Sequence, residues 1–270
     1  MSAEIDKSPL GILAGEGALP VQLTQYCIDN DISVCAVQFD SCAYNDFPPV
    51  PSIVTKMERV GEIFSFFKKH NVQNVVMIGN LQRPSLLSMR PDLKGIKTLS
   101  RIAGAFLKGD DNLLRSLRVE IENEGFAVKG IDYYLRDLVS DAQCLTKRPC
   151  DIDVQDSVRE ALRYGDQDKG QSILLHADDT YGYETRDGTT SLIVSEGKKG
   201  SVLVKMVKPN QDPDLDRPTV GLQTLIALKN AGCMGMVIQA NGVLMIDRDE
   251  MVAYADQNDL FIDVVEVAHA

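Results

Sequence analysis

The chain has 270 residues, 44% of them hydrophobic and 25% charged, with a formal net charge of −11. Those values fit a folded chain of one large or two medium domains. They exclude a general nucleic-acid binder, which needs clustered cations to meet phosphates.

The acid is unevenly spread: residues 1–150 carry 17 Lys+Arg against 18 Asp+Glu, and residues 151–270 carry 11 against 21. Most of the excess is read as a solvated acidic surface, with a subset able to hold a hard cation such as Mg²⁺. The six cysteines (27, 35, 42, 144, 150 and 233) form no C-x-x-C and no zinc spacing. They read as reduced, mostly buried thiols of a cytosolic protein. The first residues lack a signal-peptide pattern, and no apolar run approaches the ~20 residues that span a bilayer.

In chain order, "LGILAGEGALP" (10–20) is an apolar strand running into a glycine turn, followed by a helix through Tyr26 and Cys27. "ISVCAVQFD" (32–40) is a buried strand, 57–70 has helical apolar spacing, and "VQNVVMIGN" (72–80) is another buried strand. The alternation predicts a parallel α/β layer. Two helices follow, over 91–108 and 110–124; the first ends at Gly109 and the second is capped by Asp110 and Asp111. "GFAVKG" (125–130) is a closing strand. Residues 131–149 form a connector, after which the composition turns acidic.

The second half predicts a helix over 151–164 and strands over 171–179 and 201–208. A helix over 219–232 follows, then two short strands around Asn241-Gly242. A helix over 248–259 and a last strand over 260–267 complete it. The expected fold class is α/β with two domains. An N-terminal Rossmann-like parallel sheet, with helices on both faces, fills 1–135; residues 136–150 are a linker; a smaller α/β catalytic domain fills 151–270.

Several constellations carry chemistry. Gly15 and Gly17 follow the first strand and open a helix, where an anion could bind. With Asp40, Gly79 and Asn80 they point at one crevice outside the carboxyl ends of the strands. A dinucleotide fingerprint would need a third glycine where Pro20 stands, so the alternatives are a mononucleotide, a diphosphate or a plain tight turn. Residues 83–109 carry six Lys+Arg against one Asp. Their helix could meet anionic lipid or an acylated ligand, or simply pack on the core. In "TRDGTTSLI" (185–193) the hydroxyls could hold phosphate or cap a helix.

"VKMVKPNQDPDLDRPTV" (204–220) sets Lys205 and Lys208 before Asp212, Asp214 and Asp216. Ammonium groups attract a diphosphate, and carboxylates hold Mg²⁺. Pro218 and Thr219 would start the next helix, whose dipole adds positive field. The alternative is an acidic turn with a cap. Only three histidines occur, and neither a P-loop nor a nucleophile-elbow motif is present.

The ordered set "GILAGEGALP", "NVVMIGNLQRP", "KGDDNLLR", "DGTTSLI", "VLVKMVKPNQDPDLDRPTVGLQTL" and "AGCMGMVIQANGVLMIDRDE" resembles one family. It is similar to the two-domain, non-calcineurin UDP-2,3-diacylglucosamine pyrophosphatases of lipid A synthesis. That resemblance implies a Mg²⁺-dependent hydrolase giving UMP and 2,3-diacylglucosamine 1-phosphate, with its site between the two domains. It places the essential aspartate on Asp216; from the carboxylates of the loop itself, Asp212 and Asp216 are the candidate metal ligands. Gly15, Gly17, Gly79, Asn80 and Asp111 fall among the implied substrate contacts. On their own chemistry, Gly188, Thr189, Thr190, Lys205, Lys208, Gln211 and Thr219 are further candidate substrate contacts. The sequence departs from the family pattern at Thr190 (usually acidic), Gln239 (Glu), Asn80 (Lys) and Asn210 (Gly). The implied partner is a UDP-linked diacylated sugar lipid met at the inner membrane surface from the cytoplasm. Oligomeric state stays open, a homodimer included. Two rival readings are an NAD(P)-dependent oxidoreductase built on Gly15 and Asp40, and a non-catalytic nucleotide-sugar lipid binder.

Overall fold

The computed structural model describes residues 6–80, 90–106, 110–209 and 211–267. The chain divides into two compact units, Met1–Leu135 and Arg136–Ala270.

The first unit runs β1 (Leu10–Ala14), α1 (Leu19–Asp29), β2 (Val34–Phe39), β3 (Ser52–Thr55), α2 (Val60–Lys69) and β4 (Asn74–Ile78). It continues through α3 (Leu93–Phe106) and α4 (Asp110–Asn123) to β5 (Ala127–Val128). The five strands pair in parallel in the order β3-β2-β1-β4-β5. Central strands of such a sheet are covered on both faces, which is why β1 and β2 read as apolar runs, with Gln38 the one polar side chain in them. Leu10, Ile12 and Ala14 of β1 and Ala36 and Val37 of β2 are fully buried. Phe67 of α2 lies so close over Gly11 that a Cβ there would stand 2.8 Å from the ring. Strand order reverses between β1 and β4, so their carboxyl ends form the switch point of this sheet.

β3 was not expected from the sequence. It is four residues long, at the sheet edge, and only Thr55 of it is buried, so it carries none of the apolar signal of an inner strand. Gly109, expected to end α3, lies outside the described residues, as does the first part of the basic segment 83–109. In the described part, Leu93 and Ile96 are exposed on α3, while Arg101 pairs with the buried Glu120.

The second unit begins within the segment expected to be a linker. There β6 (Gln143–Cys144) pairs antiparallel with the final strand β13 (Phe261–Val265), and Thr146 Oγ1 accepts the Ile262 amide at 3.0 Å. Between them come α5 (Gln155–Asp166), β7 (Ser172–Leu175), β8 (Tyr181–Tyr183), α6 (Gly188–Glu196) and β9 (Val202–Lys205). β10 (Thr219–Val220), α7 (Leu222–Ala231), β11 (Gly235–Gln239), β12 (Leu244–Met245) and α8 (Arg248–Gln257) follow. The main sheet is mixed, in the order β6-β13-β11-β9-β7-β8; β9, β11 and β13 run parallel, and β6, β7 and β8 are antiparallel to their neighbours. Strand alternation sends Leu174, Leu203, Met236, Ile238 and Ile262 to a core with α6, α7 and α8. The alternate set, Ile173, Val202, Val204, Val237 and Phe261, packs with Ala161 of α5.

Three expectations are corrected here. The two short strands expected around Asn241-Gly242 are present but do not pair with each other: β11 joins the main sheet, while β12 pairs in parallel with β10 in a separate two-stranded sheet. Asn241, at φ 53°, does turn the chain, but the turn separates two sheets. The helix expected from residue 219 begins at Leu222. Thr219 is in β10, its hydroxyl donating to the Arg217 carbonyl at 3.3 Å. The N-cap is Gly221, whose amide donates to Thr224 Oγ1 at 3.4 Å. Extended backbone at Thr219 and Val220 is fixed by the β12 ladder, which overrides the Pro-Thr start signal. The six thiols are free, and burial pushes Cys27 and Cys35 up to about 12, but Cys144 is exposed.

Candidate functional site

In the first unit, the turns after β1 and β4 are stitched to each other. The Glu16 amide donates to the Asn80 carbonyl at 2.8 Å and the Asn80 amide returns to the Glu16 carbonyl at 2.9 Å. Gly15 N donates to the Ile78 carbonyl at 2.8 Å. The contact is backbone on backbone: a Cβ on Gly15 would stand 2.7 Å from the Asn80 oxygen, and Gly79 adopts φ +97°. Tyr44 closes over this turn, its hydroxyl on the Gly15 carbonyl and 2.8 Å from the Gly17 carbonyl. Burial, with Cys42 and Glu16 nearby, pushes that phenol up to about 12. Glycine at 15 and 79 is therefore required by packing, and the Gly15 and Glu16 amides are already engaged rather than turned to a phosphate. Gly17 has open space where a Cβ would lie, and Asn80 is exposed. Asp40 lies 3.9 Å from Lys56. Asp111 is in the first turn of α4; its side chain lies outside the described residues.

The second unit gathers a polar row on its sheet. Alternation along β9 gives Lys205 the same phase as the core residue Leu203, and Lys205 is 4% exposed. Its cross-strand neighbour on β7 is Ser172, fully buried. One residue beyond β8, the Glu184 amide donates to the Ser172 carbonyl at 3.1 Å, which brings Glu184 into the same row. Thr189, at the start of α6, meets all three. Lys205 Nζ donates to Thr189 Oγ1 at 2.7 Å, Thr189 Oγ1 donates to Glu184 Oε1 at 2.6 Å, and Ser172 Oγ lies 3.0 Å away. The hydroxyl expected to hold phosphate or cap α6 is thus directed inward. Gly188, at φ +84°, opens the helix, and Thr190 is exposed.

The loop after β9 carries Asp216, whose charge reaches Lys205. Burial pushes the Lys205 ammonium below the usual lysine range, while the carboxylates of Glu184 and Asp216 push it back up. Gln211, 7% exposed, donates from Nε2 to Asp216 Oδ2 at 2.5 Å. A carboxylate only accepts, so this bond fixes the amide orientation. It leaves Gln211 Oε1 buried with no hydrogen-bond partner. Asp212 Oδ1 caps the Asp214 amide at 3.1 Å, and its carbonyl accepts from Leu215 at 3.1 Å and Asp216 at 3.2 Å. The alternating aspartates therefore build a turn that delivers Asp216. Arg217 braces it, donating to the Pro213 carbonyl at 2.8 Å and the Asn241 carbonyl at 2.7 Å. Lys208 lies apart from Lys205 in its bonding, with Nζ 2.8 Å from Asp168 Oδ1. Gln239, at the end of β11, accepts the Val207 amide at 2.9 Å and so holds the start of the same loop.

Of the expected contacts, Lys205 bonds Thr189 and Gln211 bonds Asp216, with the Asp216 charge reaching Lys205, while Thr219 belongs to the small sheet. Asn210 lies outside the described residues. Glu184 and Ser172 were missed. The signal for Glu184 is its phase: in "YGYE" it follows the buried Gly182, so an acid sits where alternation demands a buried side chain.

No three His, Cys, Asp or Glu side chains gather as a metal cage among the described residues. Mg²⁺ needs less, since it keeps waters and takes one or two carboxylates together with substrate phosphates. Asp216, a hard oxygen donor on a braced turn, fits that demand. Asp212 fits it less well, because Oδ1 is engaged in the turn.

Residues 9–138 match the LpxI N-terminal domain and residues 142–263 match the LpxI C-terminal domain. The chain belongs to the LpxI family. It is 30% identical over 268 residues to the UDP-2,3-diacylglucosamine pyrophosphatase LpxI of Caulobacter vibrioides, covering 94% of this chain and 96% of that protein. The stitched turns after β1 and β4 fall in the LpxI N-terminal domain. The row around Lys205 and Asp216 falls in the LpxI C-terminal domain.

Proposed function

We propose that this LpxI chain hydrolyses the diphosphate of UDP-2,3-diacylglucosamine, taking up one water and giving UMP and 2,3-diacylglucosamine 1-phosphate. The observation that carries the reading is likeness along both domains to a relative named for that pyrophosphatase. The arrangement at the end of β9 supports it chemically. Asp216 is aimed by Gln211 and by the Asp212 turn, and a buried ammonium stands within its electrostatic reach. Hydrolysis of a phosphoric anhydride needs water held in line and charge balanced as the leaving phosphate departs. In this reading Asp216 orients the water or the Mg²⁺, and Lys205 balances developing charge. Mg²⁺, when bound by Asp216 and the diphosphate, would neutralise phosphoryl oxygens and polarise the phosphorus.

The substrate is acylated, so the protein meets it at a membrane surface from the cytoplasmic side. No helix among the described residues is long and apolar enough to cross a membrane, which suits a peripheral encounter. The test is to incubate the purified protein with UDP-2,3-diacylglucosamine in mixed micelles, with Mg²⁺ and with chelator. UMP release that needs Mg²⁺ and falls at least about 100-fold in Asp216→Ala is expected. No release by the native protein, or undiminished release by the variant, overturns the reading.

A further inference from the structure

Glu184 has no role in any step described so far, yet its two oxygens are fully directed. Oε1 accepts the Thr189 hydroxyl at 2.6 Å and Oε2 accepts the Gln171 amide at 2.8 Å. Its carbonyl accepts the Tyr164 hydroxyl at 2.5 Å. The direction of every bond in the row follows from donor chemistry. A lysine ammonium only donates and a carboxylate only accepts. Thr189 therefore gives its one proton to Glu184, and its two lone pairs take Lys205 and Ser172. The hydroxyl is saturated, and the chain of bonds runs one way, from Lys205 through Thr189 to Glu184. Thr189 takes one of the three ammonium protons of Lys205.

A carboxylate in a 6% exposed position is a poor way to gain stability, since an apolar residue of similar size commonly does as well. What the row supplies is a fixed place for a cation. Lysine has four rotatable bonds and a compact charge, and an unanchored one would sample many positions. Anchoring it within electrostatic reach of Asp216 keeps the charge available to a phosphoryl group that meets that aspartate.

Resting on the reading above, we propose that Glu184 is a positioning residue for the reaction at Asp216: acting through Thr189, it holds the Lys205 ammonium in one place, with its remaining donors kept for the anionic group of the substrate. Glu184→Gln removes the carboxylate charge at the end of the row and spoils one of its two bonds whichever way the amide lies. With nitrogen at the Oε2 position, it faces the Gln171 N–H. With nitrogen at the Oε1 position, it donates to Thr189, whose proton must then leave that position and turn toward Ser172 Oγ, the neighbouring hydroxyl able to accept it. Thr189→Val keeps the shape and removes the link, and Thr189→Ser keeps the link.

Two measurements test this. The first needs no substrate. In protein labelled with ¹⁵N-lysine, the Lys205 ammonium gives an exchange-protected resonance, assigned by its absence in Lys205→Met. It is expected to persist in Thr189→Ser, to vanish in Thr189→Val, and to shift or vanish in Glu184→Gln. The second is the steady-state rate on UDP-2,3-diacylglucosamine with Mg²⁺. In Glu184→Gln and Thr189→Val, kcat should fall about 10- to 100-fold with KM changed by less than about threefold, the size usual for removing a supporting partner. Thr189→Ser should restore most of it. An unaltered ammonium signal in Thr189→Val and Glu184→Gln refutes the anchoring. Wild-type kcat in both refutes the positioning role and leaves the hydrolase reading standing. Failure of the native protein to release UMP overturns that reading and the catalytic role with it, while the ammonium signal still decides the anchoring.

Discussion

Removing the charge of Lys205 while keeping its bulk, as in Lys205→Met, tests how strongly the row is coupled. Two bonds in series, of 2.7 and 2.6 Å, put the ammonium no farther than about 5 Å from Glu184 Oε1. At an effective dielectric near 20 that separation corresponds to about 3 kcal/mol of attraction. The single variant leaves the Glu184 carboxylate buried without its cation, which costs about 3–5 kcal/mol. Glu184→Gln leaves the opposite charge stranded. The double variant removes both, so its loss should fall short of the sum of the singles by about 1–3 kcal/mol. Because burial outweighs the nearby carboxylates in setting the Lys205 pKa, the double variant should be no less stable than either single. The chain has no tryptophan, so urea unfolding is followed by far-UV circular dichroism, with slopes checked for constancy. Losses that add within about 0.5 kcal/mol would refute the coupling, because independent sites behave that way.

Gly15→Ala should destabilise the first unit by about 1–3 kcal/mol, because the new Cβ would stand 2.7 Å from backbone atoms of Gly79 and Asn80; a wild-type urea midpoint would contradict the stitched turns. Gln239→Leu strands the Val207 amide and should cost about 1–3 kcal/mol, whereas Gln239→Glu, which still accepts that bond, should stay within about 0.5 kcal/mol. Glu124 takes Lys68 at 2.7 Å and Lys94 at 2.5 Å, and these bonds lower its pKa. A carboxyl with a depressed folded pKa stabilises above its unfolded value, near 4.3, and loses that contribution as pH falls through the folded value. Glu124→Gln should therefore cost up to about 1 kcal/mol at pH 7, with the gap to wild type closing below about pH 4 in thermal melts.

The parallel layer of the first unit was legible because its inner strands are buried on both faces and so announce themselves as apolar runs. Leu10–Ala14, Val34–Phe39 and Asn74–Ile78 were all visible that way. β3 and β8 were not, being short edge strands of four and three residues with polar or aromatic composition. β10 was hidden for another reason, and the pairing of β12, the second short strand expected around Asn241-Gly242, was hidden with it. Each is two residues long, and each exists only because the other lies beside it. Local signals at Pro218-Thr219 and Asn241-Gly242 were real, but they announced a helix start and a tight turn between two strands, and long-range pairing made different use of the same residues.

At the site, residue types were legible and their burial was not. Lys205, Gln211 and Asp216 stand out by the blocks they occupy, and a solvent-facing lysine waiting for phosphate is the natural reading of the first. Strand phase says otherwise: Lys205 shares the inward face of Leu203, where a cation requires a partner across the sheet. Seeking that partner means asking which neighbouring strand puts an acid at the same phase. "YGYE" answers it only once Tyr181–Tyr183 is read as a strand beside β7, since Gly182 opposite Leu174 then places Glu184 opposite Ser172, in line with Lys205. One missed edge strand thus concealed both the carboxylate and the reason for the lysine. A charged residue at the core phase of a strand is itself evidence for an opposite charge on an adjacent one, even where that strand is too short to declare itself.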